Sequence, residues 1–175
     1  DHDMGIKYTY KGERWEYAIA FFKNAEELNF GSYSDVSDSR YSYDISSTDL
    51  NGDGIPDLRN KETNQLNGKL AYKIQNEKTS HKIGISGQFG GLLNLDTEET
   101  GNHFAYAGHY EMQAGRVALK AQVARYGHNP ENPAGEPTDV VAMTAYGVPY
   151  LLAACGKVYT FCLSYSLPVN WHPVS

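Results

Sequence analysis

Residues 159–167 read Y-T-F-C-L-S-Y-S-L. Tyr159, Phe161, Leu163, Tyr165 and Leu167 fall on odd positions, and Thr160, Cys162, Ser164 and Ser166 fall between them. Successive side chains of a strand point to opposite faces, so this segment has one greasy face and one small, wet face. The same beat recurs along the chain. Trp15, Tyr17, Ile19 and Phe21 alternate with Glu16, Ala18 and Ala20. Leu66, Leu70, Tyr72 and Ile74 alternate with Asn67, Lys69, Ala71 and Lys73. Phe104, Tyr106 and Tyr110 alternate with His103, Ala105, Ala107 and His109. A period of two sustained over so many segments predicts an all-β, antiparallel protein.

The pattern places strands at 5–10, 14–23, 65–74, 81–90, 103–111, 117–126, 140–148 and 158–167, with a short strand-like piece at 40–45. The connections at 11–13, 75–80 and 112–116 are short. Those at 24–64, 91–102 and 127–139 are long, polar and rich in Gly, Pro, Asn and acid. Short turns on one side and long loops on the other are the habit of transmembrane β-barrels. The expectation is one domain over 1–175, an up-and-down antiparallel barrel of about eight meandering strands, with 24–64 as a long excursion. Its aromatic face would meet membrane lipid or detergent. Its other face, with Lys69, Lys73, Lys82, His103, His109 and Lys120, would line a water-filled lumen, because lysines are costly in a dry core. A soluble sandwich with the aromatic face as core and the lysines in solvent is the alternative that periodicity leaves open.

Composition agrees with this frame. The 175 residues include 14 Tyr and 17 Gly, which suit long strands and turns. A formal net charge of −6 argues against a nucleic-acid partner, which needs a basic stripe. Mean hydropathy is −0.54, and no apolar run is long enough for a membrane helix. Cys155 and Cys162 fit no zinc spacing; the expectation is two buried free thiols, with a disulfide between them as the alternative.

Several pieces, in order, resemble outer-membrane porins of the phosphate-selective porin O and P type: WEYAIAFFKN (15–24), SRYSYDI (39–45), ETNQLNGKLAY (62–72), GISGQFGGLLNLDT (84–97), ARYGHNPENPAG (124–135), AYGVPYLLAACGKVYT (145–160) and LSYSLPVNW (163–171). The resemblance implies a bacterial outer-membrane barrel of about sixteen strands, usually a homo-trimer, passing small solutes. Its name suggests anions, and the lysine-bearing face is where such selectivity would sit. This chain has about half that number of strands and would be a piece of such a barrel or a short relative. The competing readings are a closed small barrel acting as a binding or structural module and, more weakly, a hydrolase. Ser86 in GISGQ lacks the G-x-S-x-G elbow, and no paired-acid spacing marks Glu16 or Glu111, so the balance is against an enzyme.

One loop has metal-binding spacing. Asp49, Asn51, Asp53, the Ile55 carbonyl and Asp57 occupy positions 1, 3, 5, 7 and 9 of an EF-hand-like series, with Gly54 at position 6. Asn60 replaces the glutamate of position 12. The expected ion is Ca²⁺, held weakly. His103 and His109 share a face but lie about 20 Å apart along a strand, so they do not chelate one metal together.

Overall fold

The computed structural model describes residues 4–23, 44–45, 57–145 and 148–167. Ten strands are present: β1 (Met4–Lys11), β2 (Trp15–Lys23), β3 (Asp44–Ile45), β4 (Asn60–Gln75), β5 (Thr79–Asn94), β6 (Thr100–Ala114), β7 (Val117–Asn129), β8 (Val140–Ala145), β9 (Val148–Ala153) and β10 (Cys155–Tyr165). No helix occurs among the described residues. Seven strands form one antiparallel sheet in the order β1-β2-β4-β5-β6-β7-β10, and β3-β8-β9 form a second.

The meander is therefore present, with one correction. The segment predicted at 140–148 is not a member of the main sheet. It splits into β8 and β9, a hairpin that also pairs with β3, and β10 hydrogen-bonds directly to β7. The main sheet has seven strands, and it does not close: β1 and β10 each have a partner on one side only among the described residues. A second correction concerns the connection at 91–102. The β5–β6 ladder runs on through Leu93 and Thr100, leaving 95–99 as the turn. The connections 12–14, 76–78 and 115–116 lie at one end, and Gly115 takes a positive φ of 56° in the tightest of them.

The ladder sorts side chains onto two faces. The cross-strand row Trp15–Tyr72–Ile83–Tyr110–Ala121–Phe161 is apolar. The next row, Glu16–Ala71–Gly84–His109–Gln122–Thr160, is small or polar. Burial runs opposite to that of a soluble sandwich. Ile85 is 63 % exposed and Phe161 71 %, whereas Ala71 is 1 % and Ala20 6 % exposed on the polar face. The greasy face is the open one. The enclosed core lies at the long-connection end, where Ile45, Leu58, Leu92, Val141, Ala142 and Ala154 are buried. Cys155 and Cys162 are free and exposed, contrary to expectation. Neither face of β10 is covered, so alternation there does not translate into burial.

The apolar band is oblique to the rungs of the sheet. On β1 it runs from Ile6 to Tyr10, centred on Tyr8. Traced through the register, Tyr8 aligns with Ile19, Gly68, Gly87, Tyr106, Arg125 and finally Lys157. Along β10 and the two residues that follow it, the exposed band runs from Tyr159 to Leu167, centred on Leu163. The centre thus moves from Lys157 to Leu163 over six strand-to-strand steps, about one residue per step. With ~3.3 Å per residue and ~4.8 Å between strands, the band crosses the rungs at ~35°.

Candidate functional site: the polar face and its long-connection end

All six residues expected on the polar side, Lys69, Lys73, Lys82, His103, His109 and Lys120, share one face of the sheet. Near the short-turn end Glu16 accepts from two of them, with Lys73 Nζ 2.6 Å from Oε1 and Lys82 Nζ 2.9 Å from Oε2. The register explains the fork. Lys73 and Lys82 are cross-strand partners, and Glu16 stands two residues along on the same face, opposite Ala71. A carboxylate between two lysines relieves a like-charge pair that would otherwise destabilise the ladder. Glu111 is the rung partner of both Lys82 and Lys120.

Further along the same face stand two more lysines. Lys7 and Lys69 make no ion pair among the described residues, and they line a trough of about 580 Å³. Its other walls are small or neutral: Ala18, Ala20, Ser86, Ala107, Gln122 and Ala124. Small side chains leave room beside the two ammonium groups, so this stretch can accept an anion or a hydrated solute. Ser86 lies opposite Lys69 and Ala107, and no histidine among the described residues bonds its hydroxyl.

At the long-connection end the polar face becomes enclosed. Asn60 Nδ2 donates to Asn132 Oδ1 at 2.8 Å, and Asn94 Nδ2 donates to the same oxygen at 3.1 Å. Asn94 Oδ1 accepts the backbone N–H groups of Asp96 and Thr97 at 2.9 and 3.0 Å, fixing the 95–99 turn. Asn132 Nδ2 donates to the Pro137 carbonyl at 2.6 Å. The Ala154 carbonyl accepts the His128 backbone N–H at 2.6 Å, and the Ala154 N–H donates to Asp139 O at 2.7 Å. Nearby, burial together with Asp57 and Asp96 raises the Glu136 carboxyl above its ordinary range, opposed by a hydrogen bond with the Leu58 backbone.

Beside this network stand Glu62, His103 and His128, from β4, β6 and β7. One ligating atom of each lies within 4.8 Å of the others. His103 and His128 are direct cross-strand partners, with nearly parallel rings 6.1 Å apart. His103 Nδ1 is 3.9 Å from Glu62 Oε1. His103 is 2 % exposed, and its Nε2 has no hydrogen-bond partner among the described residues. The chain matches no family model, no curated protein and no solved structure. Its chemistry is therefore read from its own geometry.

Sequence reasoning found His103 but not its companions. Glu62 falls within the long excursion expected at 24–64, and His128 within the connection expected at 127–139. Both strands continue past the last apolar alternation, β4 back to Asn60 and β7 on to Asn129. Asp57 is the one described member of the expected Ca²⁺ loop. Asp49, Asn51, Asp53 and Ile55 lie outside the described residues. Asn60, at the position of the missing glutamate, is buried and engaged with Asn94 and Asn132.

Proposed function

We propose that the chain is part of the wall of a transmembrane β-barrel in a Gram-negative outer membrane. Its aromatic face meets lipid, and its lysine-bearing face lines an aqueous path for small, preferentially anionic solutes. The observation that carries this reading is the slant of the exposed apolar band. Membrane-spanning strands tilt by about 35–45°, so a level lipid slab cuts obliquely across the rungs. The ~35° obliquity traced from β1 to β10 falls at the lower end of that range. An aqueous face of this size and apolarity would be a strong aggregation liability. In lipid it is the required surface.

Two further features support the reading. The charges on the apolar face lie beyond the band: Lys23 ends β2 opposite Met4, Lys61 pairs with Leu93, and Arg125 and Lys157 are cross-strand partners on β7 and β10. The bare ladders of β1 and β10 need partners, since nothing in a bilayer core hydrates an open edge. They pair with each other or with further strands, including those of a second copy. The resemblance to the phosphate-selective porins is in keeping with Lys7 and Lys69 as the anion-facing charges. A Ca²⁺ in the 49–57 loop belongs to the same proposal, on its spacing alone.

The test is planar-bilayer conductance in a salt gradient. The reading expects single-channel steps with a reversal potential on the anion side, moved toward cations by Lys7→Glu combined with Lys69→Glu. Absence of conductance in a folded, inserted protein would favour a barrel plugged by its own side chains. A reversal potential unmoved by the double substitution would remove these lysines from the path.

A further inference from the structure

We propose that Glu62, His103 and His128 form a binding site for a divalent transition-metal ion, best suited to Zn²⁺, which pins three strands together at the long-connection mouth. The donor set is two imidazoles and one carboxylate. Imidazole nitrogen suits zinc and its neighbours in the transition series, whereas calcium and magnesium take oxygen shells. Zinc holds such nitrogens and oxygens at about 2.0–2.2 Å, which in a tetrahedron sets donors ~3.4 Å apart. The three donors, already within 4.8 Å of one another, need to close by about an ångström or a little more. A fourth position is left for water or a solute group.

Two backbone features place these side chains together. The first is a β-bulge in β4. The ladder pairs Gln65 with Gly90 but Glu62 with Leu92, so one extra residue is accommodated between Glu62 and Gln65. A strict alternation from Gln65 would turn Glu62 to the lipid-side face. The bulge flips it to the polar face, where the histidines are. The second is Gly90. His103 is on β6 and Glu62 on β4, with β5 between them. Gly90 is the rung partner of His103, and a Cβ there would collide with His103 Nε2. The missing side chain lets the imidazole lie over β5, close to the glutamate. His128 is held by its Nδ1 facing the Ala154 carbonyl at 3.3 Å. A ring anchored through one nitrogen to a carbonyl presents the other as a ligand of fixed tautomer. His103 faces Glu62 through Nδ1, and its buried Nε2 has no hydrogen-bond partner among the described residues.

The site is independent of whether the barrel conducts, and its test needs only the folded chain. The untagged protein in detergent micelles is titrated with Zn²⁺ against a chromophoric chelator, in excess Ca²⁺ to occupy all-oxygen sites. One Zn²⁺ per chain is expected. Loss of an outer partner of a metal ligand already weakens binding about 10–100-fold, so loss of a ligand in His128→Gln or Glu62→Gln should cost at least ~100-fold. His109→Gln, on the same face but outside the cluster, should bind as the wild type does. X-ray absorption of the wild-type zinc complex should show two imidazoles with oxygen completing the shell, which keeps the test intact if a variant misfolds. No zinc uptake, uptake unaltered in folded His128→Gln, or a shell without imidazole would each overturn the proposal.

Discussion

An arginine scan of one cross-strand rung separates a lipid-facing sheet from a soluble one. Ile85, Gly108, Val123 and Tyr159 are aligned in register on the apolar face. If that face were a protein core, rung partners would share one environment. With a slanted band they do not. The band centre shifts about one residue per strand, from Tyr8 on β1 to Leu163 on β10, so on β5 it passes within about one residue of Ile85. Tyr159 is four residues from Leu163, which at ~3.3 Å per residue and ~35° of tilt places it ~11 Å from the midplane. A band about 25 Å tall puts that depth at the interface. Arginine on the lipid face costs ~2–4 kcal/mol at the midplane and ~0–1 kcal/mol at the interface. Ile85→Arg and Leu163→Arg should therefore each lose ~2–4 kcal/mol, and Tyr159→Arg less than about 1 kcal/mol. Ser86→Arg, one residue from Ile85 but on the polar face, should be near neutral. The assay is denaturant unfolding in lipid vesicles, followed by tryptophan fluorescence, comparing midpoints at constant slope. Equal costs at Ile85 and Tyr159, or a cost at Ser86 matching that at Ile85, would refute the reasoning.

Other consequences can be checked with the same preparation. Glu16→Gln leaves Lys73 and Lys82 as an uncompensated like-charge rung and should cost about 1–2 kcal/mol, less at high salt; a null effect at low salt would mean the fork carries no stability. Asn94→Leu removes the acceptor for two turn N–H groups and should cost about 2–4 kcal/mol, read from the unfolding midpoint. Glu136 has a folded pKa raised above 4.5, so it binds its proton more readily folded than unfolded. Its penalty is full above the folded pKa, shrinks as pH falls through it and vanishes below the unfolded value. Glu136→Gln should raise stability at neutral pH and flatten that part of the pH profile. A melting temperature that rises with millimolar Ca²⁺ over chelator, and fails to rise in Asp53→Asn, is expected of the 49–57 loop.

Much of the fold was legible because strand alternation is a local property. Tyr159 to Leu167 declares its two faces without reference to any partner. What alternation does not encode is which strands pair. The run at 140–148 is as apolar as a sheet strand, but it pairs with β3 and β9, and β10 takes the place beside β7. Strand ends were read too short for a related reason. Beyond the apolar band the sequence turns polar, as in Asn60–Asn64, yet backbone hydrogen bonds carry the ladder on without any side-chain signal. Both unforeseen members of the histidine cluster lie in those extensions. Glu62 was further hidden by the bulge, since period-two counting assigns it to the wrong face. The lysine face was legible from its residues alone, but the division between the paired lysines at Glu16 and the unpaired Lys7 and Lys69 required the register. Both thiols are exposed because neither face of β10 is covered.

The most direct test of the central claim is a spin-label accessibility scan of β5 in lipid vesicles, from Lys82 to Phe89 in a background lacking Cys155 and Cys162. The account predicts that labels at Ile83, Ile85 and Phe89 are relaxed preferentially by oxygen, and those at Lys82, Ser86 and Gln88 by a water-soluble nickel chelate, with a period of two. Chelate-dominated relaxation on both faces, or odd positions inaccessible to both reagents as in a protein core, would contradict it.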